Sequence, residues 1–546
     1  MPHRIAALLL CLLPAAVASA ASSNFRTAST LQIAYEGAML SFGLADFVGD
    51  GSKTLLAGGF PWPLLDQTLP IKAIKISRAG ALSDISATLI DGSPGQSWGR
   101  RGVVADFNGD GRPDFFSASH GYDAAPFPGD YQALLLSQPD GKLKDESASL
   151  LPHAKQFVHS AAAADLKRNG RPELFVGILN SRKIDSLDPS YTPPSSPQPG
   201  WLGAYLLRND GSGRFTFDNK TLPDKVTFSY NTGVNPWVSW DSPGSIVSSA
   251  FADLNGDGYP DLILGGDGDQ NYAGAVYFND GKGGFRTTEY KLPAGLFGAK
   301  NTITVDVLPF DVDGDGKVDL VLSQTANSPF YAGSKLQILV NKGNGTFADE
   351  TATRLPGQTG SGRWVEFLKA VDLDGDGVKD LFLNMSYPAT GQVIAYRNDG
   401  RGNFASMPAD YLPPTQGYPW LTPFDFNGDG KIDFISINND TSAKKTTFTV
   451  FENVNASLPA PTDSDRVFNY LESLYPQFVS PLEVNRGTAS GYYYRQYPNN
   501  SAYLATAKAP GTAETMLYYW GPASGNATST LGTLASWLTK AVGAGY

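Results

Sequence analysis

Cysteine is nearly absent. The 546 residues contain one, Cys11, which excludes a disulfide framework and a thiolate zinc site. Histidine is almost as scarce at four residues, so an imidazole-rich metal centre has few ligands to draw on. Positive charge is short too: 42 Lys and Arg stand against 53 Asp and Glu, a net charge of −11. That balance argues against broad electrostatic binding to nucleic acid or to an anionic membrane. No Ser-nucleophile elbow, phosphate loop or His-Glu-x-x-His motif occurs. What the chain has in excess is turn formers, 59 Gly and 38 Pro. With 41% hydrophobic residues this is a globular, turn-rich composition, in a chain too long for one ordinary domain.

The N-terminus reads as a secretory signal over residues 1–20. His3 and Arg4 are followed by the mostly apolar Ile5–Val17 and the small residues Ala18-Ser19-Ala20. The stretch is too short to span a membrane, and bulky Leu10 before Cys11 does not suit a lipoprotein signal. The expected mature chain is therefore exported, secreted or periplasmic, and free of cysteine.

A nine-residue acidic pattern dominates the rest. Five copies are full: DFNGDGRPD (Asp106–Asp114), DLNGDGYPD (Asp253–Asp261), DVDGDGKVD (Asp311–Asp319), DLDGDGVKD (Asp372–Asp380) and DFNGDGKID (Asp425–Asp433). Two are eroded: DFVGDGSKT from Asp46, and DLKRNGRPE from Asp165, where Lys167, Asn169 and Glu173 replace acidic residues. Successive copies start 60, 59, 88, 58, 61 and 53 residues apart. A spacing near 60 accommodates about four short strands with their turns. In the fourth unit these are expected at Ser248–Ala252, Asp261–Leu264, Ala275–Asn279 and Phe285–Leu292, with a hairpin at Asp280–Gly283. The seventh unit lacks its last strand, and Asn24-Phe25-Arg26-Thr27 matches Gly284-Phe285-Arg286-Thr287. The mature N-terminus is thus expected to supply the missing outer strand and close a ring without free edges. The expected fold class is all-β, a seven-bladed β-propeller over 21–454, followed by a linker (455–465) and a small α+β module (466–546).

In the acidic pattern, positions 1, 3 and 5 offer side-chain oxygens, Gly at 6 permits a sharp bend, position 7 offers a carbonyl and Asp at 9 closes the shell. An all-oxygen set selects Ca²⁺ over Zn²⁺ or Cu²⁺. The candidate ligands are Asp106, Asn108, Asp110, Arg112 and Asp114; Asp253, Asn255, Asp257, Tyr259 and Asp261; Asp311, Asp313, Asp315, Lys317 and Asp319; Asp372, Asp374, Asp376, Val378 and Asp380; and Asp425, Asn427, Asp429, Lys431 and Asp433. These loops hold 17 of the 53 acidic residues, and carboxylates so crowded repel one another unless a cation intervenes. About five Ca²⁺ ions are expected. The eroded loops are poor candidates, since Lys167 would put its ammonium where a cation must bind.

The motif resembles the FG-GAP/VCBS repeat family, the integrin α-subunit-like propellers, from about Asn24 to Asn453. The resemblance implies a seven-bladed propeller with Ca²⁺ between the first two strands of a blade. It fixes no single function, because that family includes adhesion receptors, lectins and appendages of enzymes.

Strand parity puts the acidic loops and the Asn-Asp-Gly-type turns on one face, and the long variable connections on the other, where binding residues collect. All seven propeller tryptophans fall in those connections. Trp98 and Trp364 sit eight residues before an acidic loop, where blade packing competes with binding. Trp62, Trp237, Trp240 and Trp420, beside Pro and Gly, look like exposed platforms for a sugar or a peptide. The third unit carries the longest insertions, Asp185–Pro199 and Asp218–Ser245. His120, His153 and His159 cluster around the second and third units with Arg100, Arg101 and Tyr122. They suggest an alternative, a polysaccharide lyase in which His and Tyr act as base and acid and Arg neutralises a uronate carboxylate. The main expectation is a ligand-recognition module for a glycan or protein, carbohydrate first, without catalysis. In the C-terminal region, helical spacing over Asp465–Tyr475, strands at Tyr492–Tyr497, Ala502–Ala507 and Met516–Trp520, and a helix at Leu531–Val542 are expected. That region resembles a small module of secreted proteobacterial proteins.

Overall fold

The computed structural model describes residues 24–543 apart from short stretches, the longer of which are 62–66, 123–128, 179–203, 227–245, 267–272, 386–391, 415–419, 457–463, 472–484 and 521–528. The expected signal segment, most of the linker, all of the insertion at 185–199, most of that at 218–245, and Trp62, His153, Trp237 and Trp240 lie outside the described residues.

Short apolar segments separated by glycine turns fold into seven sheets, each with four antiparallel strands. One sheet gains a fifth strand where Ile90–Asp91 pairs in parallel with Leu143–Asp145. The first strands of the sheets are Ala38–Ala45, Gly99–Ala105, Val158–Ala164, Ile246–Ala252, Thr302–Phe310, Phe367–Val371 and Trp420–Phe424. They pack against one another in chain order. The circle closes where Trp420 meets Phe367 of the sixth sheet at 6.1 Å and Phe42 of the first at 5.8 Å between ring centroids. This is a β-propeller. Its core is distributed between neighbouring sheets: Trp420, Ile435, Ile437, Phe448 and Val450 of the last sheet pack with Met39, Leu55, Ala57 and Ile74 of the first. Strands covered on both faces lose the apolar–polar alternation, and Asp261–Gly266 is buried at five of its six residues.

The N-terminal strand runs from Phe25 to Ala34, longer than the expected four residues. It pairs antiparallel with Lys445–Asn453 as the outer strand of the last sheet. The fourth sheet departs from expectation at its outer edge, where only Tyr290–Lys291 is strand. Phe285 keeps only an isolated bridge to Asn279, and its N–H donates to the Thr221 carbonyl in the connection that follows the third sheet.

Five inner strands share a feature without a sequence signature. A β-bulge falls at the sixth residue before the first Asp of the following loop: Leu40, Arg100, His159, Val247 and Val305. A bulge leaves one residue out of the ladder and re-aims its side chain.

The C-terminal region forms its own antiparallel sheet, Asn485–Ala489, Tyr492–Tyr497, Ala502–Lys508, Thr515–Trp520 and Ser529–Thr533, followed by the helix Leu534–Gly543. Val467, Phe468 and Leu471 pack with Leu504, Leu517 and Ala541 as its core. The helix begins later than expected because Ser529–Thr533 is taken up as an edge strand. The strand Asn485–Ala489 escaped the sequence reading because it carries no apolar alternation.

Candidate metal centres

Each acidic loop joins the first two strands of its sheet, and its first and last carboxylates organise it. The first Asp accepts the N–H groups of positions 4 and 6: Gly314 and Gly316 donate to Asp311 at 2.7 and 2.8 Å. The other four full loops repeat the pair. Both glycines are left-handed, with φ of 76° and 85° in that loop, a conformation that side chains with a Cβ resist. The last Asp joins the loop to the third strand. Asp319 accepts from Val312 N at 3.0 Å and from Asn341 N at 2.7 Å. Asp114, Asp261, Asp380 and Asp433 do likewise.

A second tie was missed in the sequence, where the Asn of each Asn-x-Gly turn reads only as a turn former. Its side-chain amide joins two loops. Asn341 donates to the Val318 carbonyl of its own loop at 2.9 Å and to the Leu254 carbonyl of the preceding loop at 2.8 Å. Asn209 bridges Pro172 and Phe107, and Asn279 bridges Pro260 and Leu166, in the same way. Asn398 reaches Val312 of the preceding loop, and Asn453 reaches Ile432 of its own. The recurrence of Asn 18–22 residues after Asp261, Asp319, Asp380 and Asp433 was the available signal.

Three loops bring three carboxylates within 4.8 Å of one another: Asp311, Asp313 and Asp315; Asp372, Asp374 and Asp380; and Asp425, Asp429 and Asp433. In the first of them the buried Oδ1 of Asp313 has no hydrogen-bond partner, an acceptor left for a cation. Burial pushes the closing carboxylates far above the ordinary carboxylate range, to about 8 in Asp114, Asp261 and Asp380, about 7 in Asp319 and about 9 in Asp433. Neighbouring Asp charges add to this. Groups driven so hard toward neutrality are what a bound divalent cation would hold ionised. The donor set therefore fits a hard cation. Asn108, Asn255 and Asn427 each accept the N–H two residues on, and the position-7 residues Arg112, Tyr259, Lys317, Val378 and Lys431 donate their N–H to the Asp at position 5. The 106–114 and 253–261 loops do not reach the same three-carboxylate convergence; Asp110 is held by Arg112 and Ser137.

Chain cations reach full and eroded loops alike: Arg354 pairs with Asp313, and Arg397 with Asp374 and Asp376. Lys167 Nζ lies 3.1 Å from buried Glu173, with Arg208 at 3.6 Å. In the 46–54 loop Asp50 pairs with Lys75.

On the opposite face His120 and His159 stack nearly parallel, 5.7 Å apart, and Trp98 packs on His120 with Tyr122 beside it. Both histidines are buried, and each Nδ1 bonds a backbone carbonyl, of Gly121 and Val247. Burial, then Arg100 and His120, hold His159 well below the usual imidazole value. Two expectations need correction. Arg100 and Arg101 are not free to neutralise a substrate carboxylate, because they already pair with Glu366 at 2.6 Å and Asp306 at 3.1 Å. Trp420 is not an exposed platform; it is 3% exposed, wedged between Phe42 and Phe367 to close the ring. Of the two tryptophans where packing competed with binding, Trp364 has its ring under Arg363 at 3.7 Å and its Nε1 on Glu366.

The FG-GAP-like repeat family matches residues 106–176, 253–322, 311–383 and 372–436. No curated protein matches the chain in sequence. Solved structures with a similar outline include the biofilm matrix protein Bap1 of V. cholerae, at 12% identity and TM-score 0.37, covering 80% of this chain and 92% of that one. The Dos1 propeller is similar at 10% identity and TM-score 0.39, covering 78% and 95%. A GH43_1 enzyme from Xanthomonas citri is similar at 13% identity and TM-score 0.28, covering 59% and 94%.

Proposed function

We propose that the chain is a β-propeller of the FG-GAP-like repeat type and an exported recognition module whose acidic loops bind calcium and whose opposite face binds an extracellular ligand, a glycan ahead of a protein. The observation that carries the metal half is the convergence of Asp311, Asp313 and Asp315, Asp372, Asp374 and Asp380, and Asp425, Asp429 and Asp433. These residues would hold the ions, and the Asp106 and Asp253 loops share their sequence pattern. Bound calcium would supply charge neutralisation and cross-linking, in a chain whose only cysteine is Cys11. Extracellular calcium is on the order of millimolar, enough to fill even weak sites of this kind.

With the loops committed to structure, recognition falls to the connections on the other face. Lyase chemistry is disfavoured: both described histidines spend Nδ1 on backbone carbonyls and both arginines are neutralised. A glycan array read with and without chelator, beside an assay for unsaturated uronate formation, tests the reading. Glycan binding that needs calcium is expected. Unsaturated product that disappears in His159→Ala would overturn it in favour of the lyase.

A further inference from the structure

The seven inner strands surround the axis of the wheel, and they and the residue just before the sixth strand carry five charged side chains: Arg100, Arg101, Asp306, Glu366 and Lys369. Four pair off. Arg100 and Arg101 of the second sheet reach Glu366 at the start of the sixth and Asp306 of the fifth. Those sheets lie across the ring from the second, so the two ion pairs span the axis. The bulge at Arg100 sets the geometry by letting two successive residues cross together.

Lys369 remains. It lies on the sixth inner strand, three residues before the acidic loop, and has no hydrogen-bond or ion-pair partner among the described residues. Its side chain is half-buried among the inner strands. A desolvated ammonium without a counter-ion is costly, and burial followed by the nearby Arg101 pulls Lys369 down to about 8. His159, bulged on the third inner strand, adds an uncharged imidazole. The axis therefore holds one positive charge more than its carboxylates neutralise, in a chain of net charge −11.

We infer that the axis of the wheel holds a binding site for one oxyanion, a carboxylate or sulfate group, anchored by Lys369, the one axial cation left unmatched among the described residues. The site rests on the inner-strand arrangement and not on the recognition reading above, so either can fail alone. Its occupant is either the acidic group of a sugar or a free inorganic anion.

Calorimetric titration of the full calcium-loaded chain at fixed ionic strength tests this, with sodium galacturonate, sodium sulfate and neutral galactose as probes. Saturable binding of an oxyanion with no binding of galactose is expected. Lys369→Met should weaken it about tenfold or more, as loss of a charge-assisted bond does, while Lys369→Arg retains it. Galacturonate alone binding identifies a sugar acid; sulfate binding equally well identifies a simple oxyanion. The unmodified chain gives a second test if Lys369→Met fails to fold: saturating sulfate should protect Lys369 from amine acylation, read by peptide mass. No oxyanion binding, binding undiminished in a folded Lys369→Met, or no protection would overturn the site.

Discussion

The loops at Asp165–Glu173 and Asp311–Asp319 occupy the same place in the third and fifth sheets and face the same electrostatic problem. Each buries a carboxylate at its ninth position, accepting the second residue's N–H. The third-sheet loop answers from within, setting Lys167 and Arg208 against Glu173. The fifth-sheet loop gathers Asp311, Asp313 and Asp315, pairs Asp313 with Arg354 and Asp315 with Lys317, and still leaves the buried Oδ1 of Asp313 unpartnered. A buried carboxylate persists only with a compensating cation, and the fold accepts either an ammonium from the chain or an ion from solution.

Chelation should separate the two answers most strongly. A site kept at about 100 times its dissociation constant contributes about 2.7 kcal/mol, so stripping several calcium ions should lower the melting temperature by roughly 10 °C or more. Scanning calorimetry with and without chelator measures this, and an unchanged melting temperature would remove the comparison's basis. Lys167→Met should destabilise by about 3 kcal/mol, because it exposes Glu173 to burial with less compensation. Denaturant titration should find the same loss with and without calcium. Adding Lys167→Asn and Glu173→Asp together should make the third-sheet loop calcium-dependent.

Asp313→Ala or Asp374→Ala should cost about 2–3 kcal/mol in calcium and much less in chelator. Asp46→Ala should cost about 1 kcal/mol in both, through its lost bonds to Gly49 and Gly51. Equal losses at all three positions would erase the distinction between full and eroded loops.

The pH dependence should invert with calcium. In the metal-free chain the closing Asp residues take up protons in the folded state at a pH where the unfolded chain has released them. Their contribution is fully present below about pH 4 and is lost as pH rises through about 7–9. With calcium, protons compete with the ion, and stability should rise with pH over the same window. Melting curves from pH 4 to pH 9 distinguish the two slopes. A comparably small effect is expected at the clamp, where Asn341→Ala removes one buried amide bond within its own sheet and one to the preceding sheet and should cost about 1–2 kcal/mol.

The repeat carried most of the fold. Nine-residue acidic motifs at near-constant spacing placed every inner hairpin, and the match of Asn24–Thr27 to Gly284–Thr287 located the strand that closes the ring. Local chemistry made these legible: glycines with left-handed φ, alternate carboxylates, turn formers at fixed offsets. Trp420 was misread because its Pro and Gly neighbours describe a loop, whereas its burial depends on the first and sixth sheets meeting beside it. The Asn clamp was half legible, a turn residue whose second partner lies 86–113 residues away.

By itself, then, the sequence determined what is periodic and local: the strand count per unit, the acidic loops with their preference for a hard cation, and the closing strand. Tertiary structure alone decided which loops gather three carboxylates, where the bulges fall, and that Arg100 and Arg101 meet Glu366 and Asp306 while Lys369 is left unmatched. The last of these depends on distances across a closed ring, between residues more than two hundred positions apart, and such distances exist only once the circle has formed.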